Sequence, residues 1–383
     1  MGLIRPSKMI NKGMNESKIP VNEPYLGQRE KELVNDCLES GWISSSGKYI
    51  EKFESQFSEY CECAAGVTTT SGTTAIHLAL KSLGVGPGDE VLVPAFTMVG
   101  SVYPIVQCGA SPVFVDSEPD TGNMDIQDLE RKITSSTKVI LIVHIYGHPA
   151  DMDPICDLAR SRNVKILEDA AEAHGALYKG RKAGSLGDVG CFSFYANKII
   201  TTGEGGMVVS NDMALIRKAR QLKDLAHGKI RFTHDLPEAF NYRMTNIQAA
   251  IGLGQLGRIE DTIQKKIKNA KQYTNQLKDI SCLKLPVCRP WARNVYWMYG
   301  VQLMDNERFT KDQLMVALKN EGIDTRSFFY PLHTQKAFQK YGKQDCPNAE
   351  SLGKRGFYLP SGQTLTVSQV SRVAETLSQL LEK

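Results

Sequence analysis

No apolar run in this sequence is long enough to cross a membrane. The best, residues 139–145, is interrupted by His144 and falls far short of the ~20 residues that a spanning helix requires. An excess of one charge is missing too: 46 Lys and Arg against 42 Asp and Glu leave a net charge of +4. That surplus is too small to imply a nucleic-acid partner, although it leaves room for a local anion site. The nine cysteines are scattered, no pair of CxxC units occurs, and Cys61 and Cys63 stand only one residue apart. No metal site is expected, and the thiols suit a reducing cytosol. The sequence has no GxxxxGK[ST] phosphate loop, and Gly84-Val85-Gly86-Pro87-Gly88 has the wrong spacing for a dinucleotide fingerprint. The first twenty residues carry Arg5, Lys8, Lys12 and Lys18 with no apolar stretch behind them, which describes a basic tail and not a secretory signal. These absences predict a soluble, cytoplasmic protein.

What is present is an ordinary globular composition, 42% hydrophobic and 23% charged over 383 residues. That length suits one large domain with a smaller companion, whose core needs no disulfides. Strand signals fall at 90–93, 112–116, 138–144, 164–168, 189–195 and 207–210, and helical signals at 28–39, 50–60, 75–83, 125–133, 151–161 and 213–223. Val139-Ile140-Leu141-Ile142-Val143 suits a strand buried on both faces of a largely parallel sheet. One long helical stretch is expected from 245 to about 279, with Gly252, Gly254 and Gly257 at a hinge into the smaller part. The expected division is a tail at 1–19, a large α/β domain at 20–257 and a small α+β domain at 258–383.

Four segments carry chemistry-bearing residues, and each admits a plain alternative. Thr70-Ser71-Gly72-Thr73-Thr74 opens a helix, where free N–H groups and hydroxyls form either an anion site or an ordinary N-cap. Glu168-Asp169 and Glu172 follow a strand end, the place where open α/β sheets bind ligands. A carboxylate there holds a protonated ring nitrogen, or it caps a loop. Lys198 follows the apolar stretch Cys191-Phe192-Ser193-Phe194-Tyr195, and a Gly-rich turn, Thr202-Gly203-Glu204-Gly205-Gly206, comes next. A desolvated lysine forms Schiff bases, whereas a snorkelling one is merely exposed. Asn241-Tyr242-Arg243 precedes a helix and either binds an anion or caps that helix.

In combination the segments resemble the sugar-nucleotide aminotransferases of the DegT/DnrJ/EryC1/StrS family, over roughly residues 20 to 383. TSGTTAIHLAL, EDAAEAHGALYKGRKAGSLGD, CFSFYANKIITTGEGGMVV and NYRMTNIQAAIGLGQL occur in the family's order. ANKIITTGEGG, VHIYGHPADM and TRSFFYPLH look most like the branch that aminates C4 of GDP-4-keto-6-deoxy-D-mannose to GDP-perosamine for surface-polysaccharide supply. The resemblance implies fold type I, like aspartate aminotransferase, with pyridoxal 5′-phosphate (PLP) as cofactor and its pyridoxamine form between half-reactions. It implies glutamate as amino donor and a homodimer with shared sites.

By the same resemblance, Lys198 forms the Schiff base with PLP and then moves the proton, and Asp169 pairs with the pyridinium nitrogen. Gly72, Thr73 and Ser193 hold the phosphate, with Asn241 reaching it from the neighbouring subunit. Glu172 lies near the phenolic oxygen. Arg243 and Arg326 are candidates for anionic groups, and His333 for the sugar. One departure is that Met98 stands where the family usually places an aromatic over the PLP ring, so the stacking residue is in question. Alternatives are the same chemistry on a UDP- or dTDP-linked keto sugar, or a PLP-binding regulatory protein without turnover. The retained Lys198 and Asp169 argue against the second, and a lysine where dehydratase relatives carry histidine favours amino transfer.

Overall fold

The computed structural model describes residues 18–382 apart from Arg231 and Lys343; residues 1–17 of the expected basic tail lie outside the described residues. A seven-stranded sheet forms the centre: β1 Ala65–Thr69, β2 Glu90–Pro94, β3 Ser111–Val115, β4 Thr137–Val143, β5 Lys165–Asp169, β6 Val189–Ser193 and β7 Gly206–Ser210, in the order β1-β7-β6-β5-β4-β2-β3. The pairs among β2, β3, β4, β5 and β6 are parallel, while β7 is antiparallel to β6 and to β1. Every strand but β7 therefore points the same way. In β4 the five residues 139–143 are all buried, as a parallel strand covered on both faces requires.

The carboxyl ends of β1, β5 and β6 lie on one side of this sheet. At the end of β1 the chain turns into the helix α1, Gly72–Ser82, whose N-cap Ser71 accepts from the Thr74 N–H. Sequence periodicity leaves β1 unassigned, because Ala-Gly-Val-Thr-Thr holds no apolar run.

A second sheet of four strands, β8 Leu283–Lys284, β9 Tyr299–Leu303, β10 Arg326–Ser327 and β11 Gly356–Leu359, is antiparallel throughout, in the order β8-β9-β11-β10. It has a separate core that includes Tyr273, Tyr299, Val301, Leu314, Phe357 and Val373, and also Ile19 from near the chain start. Ile19 bridges to Ile323, so the first described residues pack on the C-terminal sheet.

The single long helix expected at 245–279 is two helices, α2 Asn246–Leu256 and α3 Ile259–Leu277, broken at Gly257 and Arg258. The cause is a buried carboxylate from far away in sequence. Glu30, 2% exposed, accepts from Gln255 Nε2 at 2.6 Å and pairs with Arg258 Nη2 at 2.6 Å. A buried carboxylate must gather donors, and satisfying this one turns the helix.

Lys266 on α3 is buried with a single partner, the Ser361 carbonyl at 2.5 Å. Burial pushes its ammonium down from the ordinary value of 10.5 to about 7. Between those two values the unfolded chain holds a proton that the folded chain has released, so stability rises with pH across that window. Lys266→Met is expected to flatten this rise, read as the difference in urea midpoint between pH 7 and pH 9. An unchanged slope counts against the neutral buried amine.

Candidate active site

A cavity of about 780 Å³ opens at the carboxyl ends of β1, β5 and β6 and extends to residues of the C-terminal sheet. Eight of the eleven residues singled out from the sequence line it: Gly72, Thr73, Met98, Asp169, Glu172, Ser193, Lys198 and Arg326. Asn241, Arg243 and His333 do not. Asn241 is exposed and bridges to Asp224, and Arg243 is paired with Asp224 at 2.6 Å. The His333 ring packs near Phe114, and its Nε2 lies 3.1 Å from Glu350.

The end of β5 separates two adjacent carboxylates, because neighbouring side chains on a strand point to opposite faces. Glu168 turns away from the cavity and accepts from the N–H groups of Gly184, Leu186 and Gly187 and from His144 Nε2, all within 2.9 Å. It is the loop-capping acid. The His144 Nδ1 accepts from the Ala150 N–H, so the ring's proton sits on Nε2. Asp169 faces the cavity, accepting from Ser101 Oγ at 2.7 Å and the Ala171 N–H at 3.1 Å. It is buried, with no Lys or Arg nitrogen within 4.0 Å among the described residues. Burial raises its pKa, and the Ser101 and Ala171 hydrogen bonds hold the rise back.

The Lys198 side chain is 10% exposed, its Nζ 4.0 Å from Glu172 Oε1 and 3.7 Å from the Trp297 ring centroid. Burial pulls the lysine pKa down and the Glu172 pKa up, and their attraction opposes both movements. Glu172 Oε2 accepts the Tyr146 N–H at 2.8 Å. That N–H is aimed by a left-handed backbone at Tyr146, φ 53°, a conformation that costs a non-glycine residue about 1–2 kcal/mol.

At the α1 end, a Cβ added to Gly72 would stand 2.7 Å from Ser193 Cβ. Only glycine leaves room between the helix start and the Ser193 hydroxyl. Arg326 is exposed at the cavity wall and makes no ion pair among the described residues.

The model of the DegT/DnrJ/EryC1/StrS aminotransferase family matches residues 24–378. The chain belongs to this family. It is 44% identical to a GDP-perosamine synthase of Escherichia coli O157:H7 (94% of this chain, 98% of the relative). It is 42% identical to a GDP-perosamine synthase of Caulobacter vibrioides (95% and 98%). Among solved structures, DesV of S. venezuelae superimposes with a TM-score of 0.87 at 34% identity, over 92% of this chain and 94% of that one. The PLP form of a putative sugar aminotransferase from Streptococcus pneumoniae gives 0.90 at 28% identity, over 95% and 99%.

The DegT/DnrJ/EryC1/StrS chain is thus a fold-type-I, PLP-dependent sugar aminotransferase, and its cofactor is PLP. Its own atoms fit that group. A glycine-lined helix start beside the Ser193 hydroxyl, which accepts from the Tyr195 N–H and can still donate, matches a phosphate. A buried carboxylate without a cation matches a protonated ring nitrogen, and a desolvated lysine matches an aldehyde. Met98, 53% exposed, presents its thioether on the cavity wall. Ser101, Tyr146 and Trp297 belong to the site, yet sequence spacing does not single them out. Each acts through a contact made only in the folded chain.

Glu172→Gln keeps an acceptor for the Tyr146 N–H but removes the charge that supports the Lys198 ammonium. The lysine should then lose its proton at lower pH. The pH midpoint for capture of PLP by the apo-protein is expected to move to lower pH. A midpoint that stays or rises contradicts the pairing.

Proposed function

We propose that this chain aminates C4 of GDP-4-keto-6-deoxy-D-mannose to GDP-perosamine, with glutamate as donor, as a cytoplasmic homodimer supplying surface polysaccharide. The observation that carries this reading is the similarity, over nearly the whole chain, to GDP-perosamine synthases of several bacteria. The division into a large domain at 20–257 and a small domain at 258–383 belongs to the same proposal, with the cavity between the two sheets.

Bound in the cavity, PLP supplies an electron sink that makes the donor's Cα–H acidic. The chain's residues do the rest. Gly72 and Thr73 N–H groups with the Ser193 hydroxyl hold the phosphate at the positive end of α1. Asp169 keeps the ring nitrogen protonated, with Ser101 orienting the carboxylate. Lys198 Nζ takes the proton from the donor's Cα and, in the second half of the cycle, returns one to the sugar's C4. Met98 packs on the ring face, Glu172 sits by the phenolic oxygen, and Arg326 meets an anionic group of the donor or sugar nucleotide.

Asn241, which does not line its own chain's cavity, completes the phosphate site of a second copy. Mixing Lys198→Ala and Asn241→Ala proteins at limiting PLP is expected to restore activity above either alone. A hybrid dimer then holds one intact site. Activity no greater than the sum of the parts points to unshared sites.

The deciding experiment presents GDP-, UDP- and dTDP-linked keto sugars with glutamate and identifies the aminated product. Amination of the GDP-linked 4-keto sugar ahead of the others is expected. Preference for a UDP- or dTDP-linked sugar overturns the assignment.

A further inference from the structure

We propose that Asn22 is a positioning residue for Lys198, its side-chain amide fixing the peptide that carries the lysine. This rests on the reading of Lys198 as the cofactor-bearing amine. Asn22 Nδ2 donates to the Asn197 carbonyl at 2.7 Å, and Trp297 Nε1 donates to the same oxygen at 2.8 Å. A carbonyl oxygen has two lone pairs, and here both are used. The far side of that peptide is held as well, since the Lys198 N–H donates to the Tyr195 carbonyl at 2.9 Å. The 197–198 peptide plane cannot rotate without breaking one of these bonds. The lysine Cα is placed by them, and its side chain runs out to the face of Trp297.

The two bonds to the Asn197 carbonyl both come from the C-terminal sheet region, Trp297 standing two residues before β9 and Asn22 on an arm bound to that region. The Ile19 N–H donates to the Gly322 carbonyl at 2.8 Å, and the Asp324 N–H to the Ile19 carbonyl at 2.9 Å. The Ser361 N–H donates to the Val21 carbonyl at 2.9 Å, while the Ser361 carbonyl is held from the other side by buried Lys266. A Cβ at Gly362 would stand 3.2 Å from Asn22 Oδ1, so this loop closes tightly over the amide. Asn22 reaches the cavity wall, but its amide donor is committed to the carbonyl. With Trp297, it ties the C-terminal sheet region to the lysine's backbone.

The test compares Asn22→Ala with Lys18→Ala, which removes an exposed ion pair to Asp324 (3.3 Å) on the same arm. Both are full-length, PLP-loaded proteins. Two readouts need no sugar: the pH midpoint of the bound cofactor's absorption band, and the rate constant of amino transfer from glutamate. Asn22→Ala is expected to move the midpoint by about half a pH unit or more. It should also slow transfer about tenfold at unchanged KM, whereas Lys18→Ala does neither. A wild-type midpoint in Asn22→Ala overturns the proposal. So does a raised KM with the rate constant kept, which makes Asn22 a substrate contact. Should the alanine variant not fold, Asn22→Asp keeps the volume, loses the donor and is judged by the same two readouts. Misassignment of the keto sugar leaves both readouts intact, while a wild-type protein without the band sinks the reading of Lys198 itself.

Discussion

Replacing Lys198 by alanine is expected to lower turnover by about 10⁴-fold. It is the only lysine among the residues lining the cavity, and its burial keeps the amine easily deprotonated. No neighbour can take over. Glu172, 4.0 Å away, is a carboxyl already accepting the Tyr146 N–H, and a guanidinium such as that of Arg326 is a poor base and nucleophile. Lys198→Arg should fail for the same reason, despite keeping the charge. Two measurements check the claim: the amination rate with glutamate and keto sugar, and retention of PLP after dialysis. The alanine variant should lose both. Turnover within tenfold of wild type would remove the lysine's assigned role.

The second large effect is expected from Asp169→Asn, a loss of about 10²–10³-fold in kcat/KM, equivalent to about 3–4 kcal/mol. The two oxygens of Asp169 accept from different donors, Ser101 Oγ and the Ala171 N–H. An amide can keep both contacts, its oxygen accepting the Ala171 N–H and its NH₂ donating to a Ser101 hydroxyl turned toward Thr97. What the substitution removes is the charge placed to favour a protonated ring nitrogen. Both half-reactions should slow by similar factors, and PLP should bind more weakly. Separate rapid-mixing measurements of donor and sugar half-reactions test this, and kinetics equal to wild type in either half contradict the pyridinium pairing.

How far the sequence discloses these features depends on whether they are local. The buried parallel strands show as apolar runs because both of their faces are covered, and β4 is the clearest example. Strand β1 lacks such a run and escapes notice, although it delivers the helix start that frames the cavity. The break between α2 and α3 falls at Gly257, one of the glycines expected at a hinge, although helical periodicity passes straight through it. Its cause is Glu30, which meets Gln255 across 225 positions of sequence. The site divides along the same line. Lys198, Asp169, Glu172 and Gly72 follow strand ends or open a helix, and their surroundings in sequence mark them. Ser101, Trp297 and Tyr146 act by tertiary approach, through a hydroxyl, a ring face and a backbone N–H. Arg243 and His333 are paired with Asp224 and Glu350 in this chain, and only the three-dimensional arrangement discloses those partners.

The bridge between Ile19 and Ile323 has a consequence in time. Ile19 leaves the ribosome well before its partner, since the segment that receives it emerges 323 − 19 = 304 residues later. At ordinary rates of synthesis that is a wait of roughly 15–60 s. All seven strands of the central sheet are made within that interval, the last ending at Ser210, while the arm still has nowhere to dock. The peptide before Lys198 therefore acquires its hydrogen bond from Asn22 only after the segments that dock the arm have been made. The lysine reaches its working position later than the sheet that carries it.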